Sequence, residues 1–107
     1  MLHMSQQLKK IETRIEKIKH EIAKIGEMRP GSLKQQYRGT AKNPYGCYWQ
    51  LNYTHKGRSH TEYVKDESAS ETKAQIKMYQ RFRHLVELWT RLAIQHAQTK
   101  KKLGQNR

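Results

Sequence analysis

Two runs of apolar residues at heptad spacing, one near each end of the 107-residue chain, constrain its fold more than any other feature. In the first, Met4, Leu8, Ile11, Ile15, Ile18, Ile22 and Ile25 follow one another at alternating steps of four and three, and the residues between them are mainly polar. In the second, Met78, Phe82, Leu85, Trp89, Leu92, His96, Thr99 and Leu103 repeat those steps, weakening at His96 and Thr99. Such steps keep a narrow stripe on one side of an α-helix, the a/d seam of a coiled coil. A narrow stripe asks for one facing helix rather than a broad core. The two seams are therefore expected to face each other as an antiparallel pair, with helix one over residues 3–27 and helix two over 69–103. Gly26 and Pro30 mark the end of helix one. Ser68 or Ser70 offers an N-cap to helix two, with Asp66, Glu67 and Glu71 near the positive end of its dipole.

Between the helices lies a β head, residues 31–65, whose clearest part is a hairpin over residues 46–64. Two runs rich in aromatic residues, Thr and Val flank His55-Lys56-Gly57, where the glycine accepts the positive φ of a tight reversal. Trp49, Leu51 and Tyr53 share one side of the first strand, and Tyr48, Gln50, Asn52 and Thr54 the other. A three-residue loop sets Thr54 opposite Arg58, joins Ser59, Thr61 and Tyr63 to the aromatic side, and leaves Gln50, Asn52, Arg58, His60 and Glu62 on the opposite face. A two-residue Lys56-Gly57 turn shifts the pairing by one and sends His60 and Val64 to the aromatics instead. The three-residue register is the expectation, because it leaves one face rich in hydrogen-bonding groups. Residues 31–38 alternate Leu33, Gln35 and Tyr37 against Ser32, Lys34, Gln36 and Arg38, and supply a third strand. The fold class is thus α+β: a long antiparallel two-helix coiled coil with a small two- or three-stranded antiparallel head inserted between its helices. One domain accounts for the whole chain, ending in a basic tail over 104–107.

Charge narrows the function. There are 22 Lys and Arg against 9 Asp and Glu, a formal net charge of +13. An excess of this size points to a polyanionic partner, of which nucleic acid is the commonest. Residues 30–65 carry six basic groups and one acidic group, so the excess is least diluted in the head. Asn and Gln pair with adenine and Arg with guanine in the major groove, which admits β ribbons and small sheets. Gln50, Asn52, Arg58 and His60 are of the right types, Lys34, Gln36 and Arg38 extend that surface, and Lys42, Lys56 and Lys65 are placed for phosphates. Tyr45 and Tyr48 are candidates for base stacking, whereas Trp49 belongs to the core.

Catalysis is not indicated. No Gly-rich phosphate loop, no His pair at i, i+4 around a Glu and no carboxylate pair near a His occurs in the head. Asp66, Glu67 and Glu71 read as dipole partners rather than metal ligands, and His3, His20, His55, His60, His84 and His96 are scattered. The single Cys47 excludes an internal disulfide and a cysteine-rich zinc site, so no metal or other cofactor is expected. No apolar run approaches a membrane span and no signal-peptide core precedes helix one, so the expected place is the cytoplasm, away from membranes.

Several short motifs carry a resemblance. Gly31-Ser32-Leu33, Gln36-Tyr37-Arg38, Pro44-Tyr45-Gly46, Tyr48-Trp49, Lys56-Gly57-Arg58, Tyr63-Val64, and Tyr79 with Arg81-Phe82-Arg83 are similar to an uncharacterised family of small prokaryotic proteins, over roughly residues 29–90. The loop before the hairpin often carries several cysteines in that family, which implies metal; Gly39 to Pro44 has none here, so metal is not carried over. The resemblance also implies an association with mobile elements. The head is similar in shape to the sheet domains with which some recombinases grip DNA.

The resulting expectation is a non-enzymatic, regulatory nucleic-acid-binding protein that grips double-stranded DNA, in preference to RNA, through the β head. A homodimer through the helices would complete a four-helix bundle. The alternatives are an inhibitor or adaptor of a larger nucleoprotein complex, and an RNA- or ribosome-binding protein.

Overall fold

The computed structural model describes residues 2–39 and 44–105, with side chains at 5–39 and 46–104. The chain is α+β. Helix α1 spans Leu2–Ala23, strands β1, β2 and β3 span Ser32–Gly39, Pro44–His55 and Arg58–Lys65, and a 3-10 turn, Asp66–Ser68, leads into helix α2, Ala69–Gln105. The strands form one antiparallel sheet in the order β1-β2-β3.

Two compact units divide the chain: residues 1–25 with 81–107, and residues 26–80, so that α2 contributes to both. In the second unit the core is small. Leu51 on β2 is fully buried, Val64 on β3 and Ile76 on α2 join it, and Leu33, Trp49 and Tyr53 pack around them. Ala69, Thr72 and Ile76 are buried at helical spacing, which marks the face that α2 turns inward here. Thr72 satisfies its hydroxyl by donating to the Ser68 carbonyl at 3.0 Å.

The linker before β1 is pinned on both sides. The Arg29 amide donates to the Gln75 carbonyl at 3.1 Å, its guanidinium pairs with Glu62, and Gln75 donates to Glu27 at 2.9 Å. Gly31 then takes φ +122°, and a Cβ there would lie 2.5 Å from the Asn52 carbonyl oxygen. Only glycine lets the backbone approach β2 so closely.

The hairpin closes differently from the sequence expectation. His55 pairs with Arg58, so the turn is the two-residue Lys56-Gly57. Both turn residues have positive φ, 52° and 76°, the combination whose twist suits two-residue hairpins. This is the register weighed second above, and it inverts every side chain of β3 relative to the three-residue reading. Val64, rather than Tyr63, goes into the core opposite Trp49, and Glu62 lies opposite Leu51. Burying valine and leaving Ser59, Thr61 and Tyr63 outside is the better use of apolar surface.

In the first unit, Leu8, Ile11, Ile15, Ile18 and Ile22 are half-buried along α1, while Leu85 and Leu92 are buried along α2 with Phe82, Trp89, His96, Thr99 and Leu103 half-buried. Met4's side chain lies outside the described residues. Glu21 meets Arg81 at 3.0 Å, His96 Nε2 lies 3.0 Å from Glu12, and the Lys19 ammonium sits 5.3 Å from the Trp89 ring centre. The Arg81 hydrogen bond, with Lys24 second, holds the Glu21 carboxyl below its ordinary range. Helix α1 stops at Ala23, short of the expected residue 27, through tightened bonds from Lys24 to Glu21 and from Ile25 to Ile22. Helix α2 runs on to Gln105 and takes up Gly104 and Gln105 from the expected tail.

Leu51→Ala is expected to cost about 2–5 kcal/mol of stability, the range for deleting a buried leucine. Gly31→Ala should cost at least about 1–3 kcal/mol through its positive φ, before the contact with Asn52 is counted. Chemical denaturation followed by Trp fluorescence measures both.

Candidate nucleic-acid interface

A sheet whose core lies on one side leaves the other side outward, and the pairings state what that outward face carries. Ser32, Lys34 and Gln36 of β1 lie opposite Asn52, Gln50 and Tyr48 of β2, and these in turn lie opposite Thr61, Tyr63 and Lys65 of β3. Six expected residues, Lys34, Gln36, Arg38, Tyr48, Gln50 and Asn52, are thus gathered on one face. Lys34, Arg38, Thr61, Tyr63 and Lys65 are exposed there, and Gln36, Tyr48, Gln50 and Asn52 are half-buried.

Two expected members are elsewhere. Arg58 and His60 belong to the other face, opposite His55 and Tyr53, and the His60 ring stacks on Tyr53 at 4.9 Å. The cause is the shorter turn, since a shift of one residue moves a whole strand's side chains across the sheet. Lys56 occupies the turn itself and is exposed. Lys42 lies outside the described residues, and so does the side chain of Tyr45.

The same shift brings in Thr61 and Tyr63, which the sequence reading assigned to the core, and adds Lys65 to the face. Thr61 donates its hydroxyl to Asn52 Oδ1 at 2.8 Å, leaving the Asn52 amide hydrogens for a ligand. Tyr48 and Tyr63 stack with ring centres 4.8 Å apart and planes 11° from parallel. Arg38 lies across both rings, its guanidinium carbon 5.6 Å and 5.8 Å from their centres, and donates to the Tyr63 hydroxyl. Just before Arg38 the register between β1 and β2 slips by one residue, a bulge of the kind that re-aims a side chain. The available signal for these members was the Lys56-Gly57 pair read as a turn with two positive φ values.

The strand residues of this face carry charge of one sign. Glu62 is the single carboxylate of residues 30–65, and it lies on the core side, bound to Arg29. At the end of the sheet, Asp66 accepts from the Trp49 indole N–H at 2.9 Å, and Lys73 lies 4.5 Å from that ring's centre. The Trp49 bond, followed by one from Cys47, holds the Asp66 carboxyl below its ordinary 3.8. Asp66 therefore ties β2 to the start of α2 as well as standing near that helix's dipole. Cys47 is a half-buried strand residue, free of any disulfide. Among the described residues, no three His, Cys, Asp or Glu side chains converge where a metal ion would sit. No helix of the described residues is long and apolar enough to cross a membrane.

The comparisons add one relationship. The model of a domain of unknown function, DUF6788, matches residues 8–74. The chain belongs to that family. In this DUF6788 protein the match takes in most of α1, all three strands and only the first turns of α2, so the outward face lies wholly inside it. No curated protein and no solved structure matches the chain.

Because the Asp66 carboxyl is lowered in the folded protein, the stability it contributes is present above its unfolded pKa and fades as pH falls through the folded value. Asp66→Asn should therefore differ most from the parent protein near neutral pH. The difference between their melting temperatures should shrink below about pH 4, as thermal melts across a pH series would show.

Proposed function

We propose that this DUF6788 protein is a non-enzymatic nucleic-acid-binding protein that grips double-stranded DNA with the outward face of its sheet. The observation that carries this reading is the composition of that face: Lys34, Gln36, Arg38, Gln50, Asn52, Tyr63 and Lys65 together, with no carboxylate among them. The dimensions agree, because three strands at about 4.8 Å spacing are roughly 10 Å across, against a major groove about 12 Å wide. Gln50 and Asn52 are the candidate readers of base edges, adenine above all. Lys34 and Lys65 at the edges, and Lys56 at the turn, are candidates for phosphates. The single cysteine agrees with a cytoplasmic setting.

The helices serve as scaffold in this reading, their seams packed as an antiparallel coiled coil with the sheet inserted between them. The half-buried seam residues and the pairs Glu21–Arg81 and Glu12–His96 support that packing. A second apolar strip runs along α2 through Val86, Thr90, Ala93 and Ala97, again at steps of four, three and four, with Ile94 beside it 53% exposed. It supports dimerisation through the helices, which would present two sheets to paired half-sites.

Fluorescence anisotropy with duplex DNA, single-stranded DNA and structured RNA across a salt series tests the reading. Duplex DNA should bind tightest, with affinity falling steeply as salt rises. The triple variant Lys34→Ala, Gln50→Ala, Asn52→Ala should lose about tenfold or more, and Arg58→Ala with His60→Ala should lose little. No binding at low salt, or equal loss from the two variants, would refute it. For the helices, Ile94→Glu should shift the sedimentation of a dimer to that of a monomer.

A further inference from the structure

We infer that Arg38, laid across the stacked Tyr48 and Tyr63 rings and joined by Lys65, is a built contact for a backbone phosphate of the bound DNA; this rests on the reading of the outward face given above.

The arginines of the chain are not treated alike. Arg29 is neutralised by Glu62, Arg81 by Glu21 and Arg91 by Glu87. Arg38 is held just as definitely, but by a phenol hydroxyl and two ring faces, none of which carries a charge. Among the described residues, no carboxylate forms an ion pair with it. Its full positive charge and the donors not spent on Tyr63 therefore remain for a ligand, in a planar fork suited to two oxygens of one anion. Holding the side chain in advance also removes part of the entropy cost of binding.

Position selects phosphate over a base edge. Arg38 lies at the end of the sheet away from the Lys56-Gly57 turn, beyond the bulge, and shares an open concavity with Tyr48, Tyr63 and Lys65. The amides that suit base edges, Gln50 and Asn52, lie nearer the turn. A cationic pair beyond an amide pair is the order in which a groove presents its backbone and its bases. Asp66 and Glu67 line the same concavity; Asp66 is occupied as the acceptor of the Trp49 indole, and Arg38 and Lys65 are the groups there that can meet an anion. The tyrosines are positioning residues in this scheme.

Binding to several unrelated duplexes across a salt series separates the outcomes. Arg38→Ala should weaken binding by about eightfold at 0.1 M salt and lower the slope of log K against log salt by about 0.9, equally on every duplex. Arg38→Lys should keep the slope and lose part of the affinity, since the charge stays and the fork goes. Tyr63→Phe, which keeps the ring and removes the hydroxyl, should also keep the slope with a loss of about two- to threefold. A loss confined to one duplex sequence with the slope intact would make Arg38 a base reader and overturn the inference. Unchanged binding by Arg38→Ala, while the Lys34, Gln50 and Asn52 variant still fails, would overturn this inference alone. Failure of the parent protein to bind any duplex would overturn the reading of the face itself.

Discussion

A strand paired in a sheet with one buried side has two possible faces to offer, and the parity of β3 against β2 decides between them for this protein. The Lys56-Gly57 turn sets that parity by allowing His55 to pair directly with Arg58. Lysine is an unusual residue at φ 52°, where a side chain costs on the order of 1–2 kcal/mol. Burial of Val64 beside Leu51 and the pairing of Glu62 with Arg29 offset that strain. What β3 brings to the outward face follows from this register: no carboxylate from the strand, a second tyrosine, and the loss of Arg58 and His60 to the other side.

The acidic groups show a related order. Glu12, Glu16, Glu21 and Glu87 face His96, Lys19, Arg81 and Arg91, and Glu62 faces Arg29. Exposed pairs of this kind contribute roughly 0–1 kcal/mol each to stability. Their larger consequence is for the field. Negative charge is concentrated along the helices and, within residues 30–65, confined to Glu62 on the core side of the sheet, so Lys34, Arg38 and Lys65 face outward with no carboxylate on the strands to offset them.

The small core explains why that face is available at all. Among the described residues Leu51 is the fully buried large side chain, and one side of the sheet is enough to cover it with Val64 and Ile76. A short chain has little apolar surface to bury. The opposite side therefore carries amides, cations and two tyrosines that no core requires, and the family match spans all of it.

Much of this was written locally in the chain. The two helices, three strands and α+β class follow from heptad steps and alternation, because those periods are set by backbone geometry and need no distant partner. Six residues of the face, from Lys34 to Asn52, were readable for the same reason: they lie on strands whose inward side is marked by Leu33, Trp49 and Leu51. Tertiary structure alone decided where β3 points. Two turns one residue apart are both compatible with His55-Lys56-Gly57-Arg58, and the choice depends on which side chains find burial or a partner. Arg29 lies 33 residues from Glu62, and Arg38 lies 25 from Tyr63. Such contacts exist only once the sheet has formed, which is why no local period announces them.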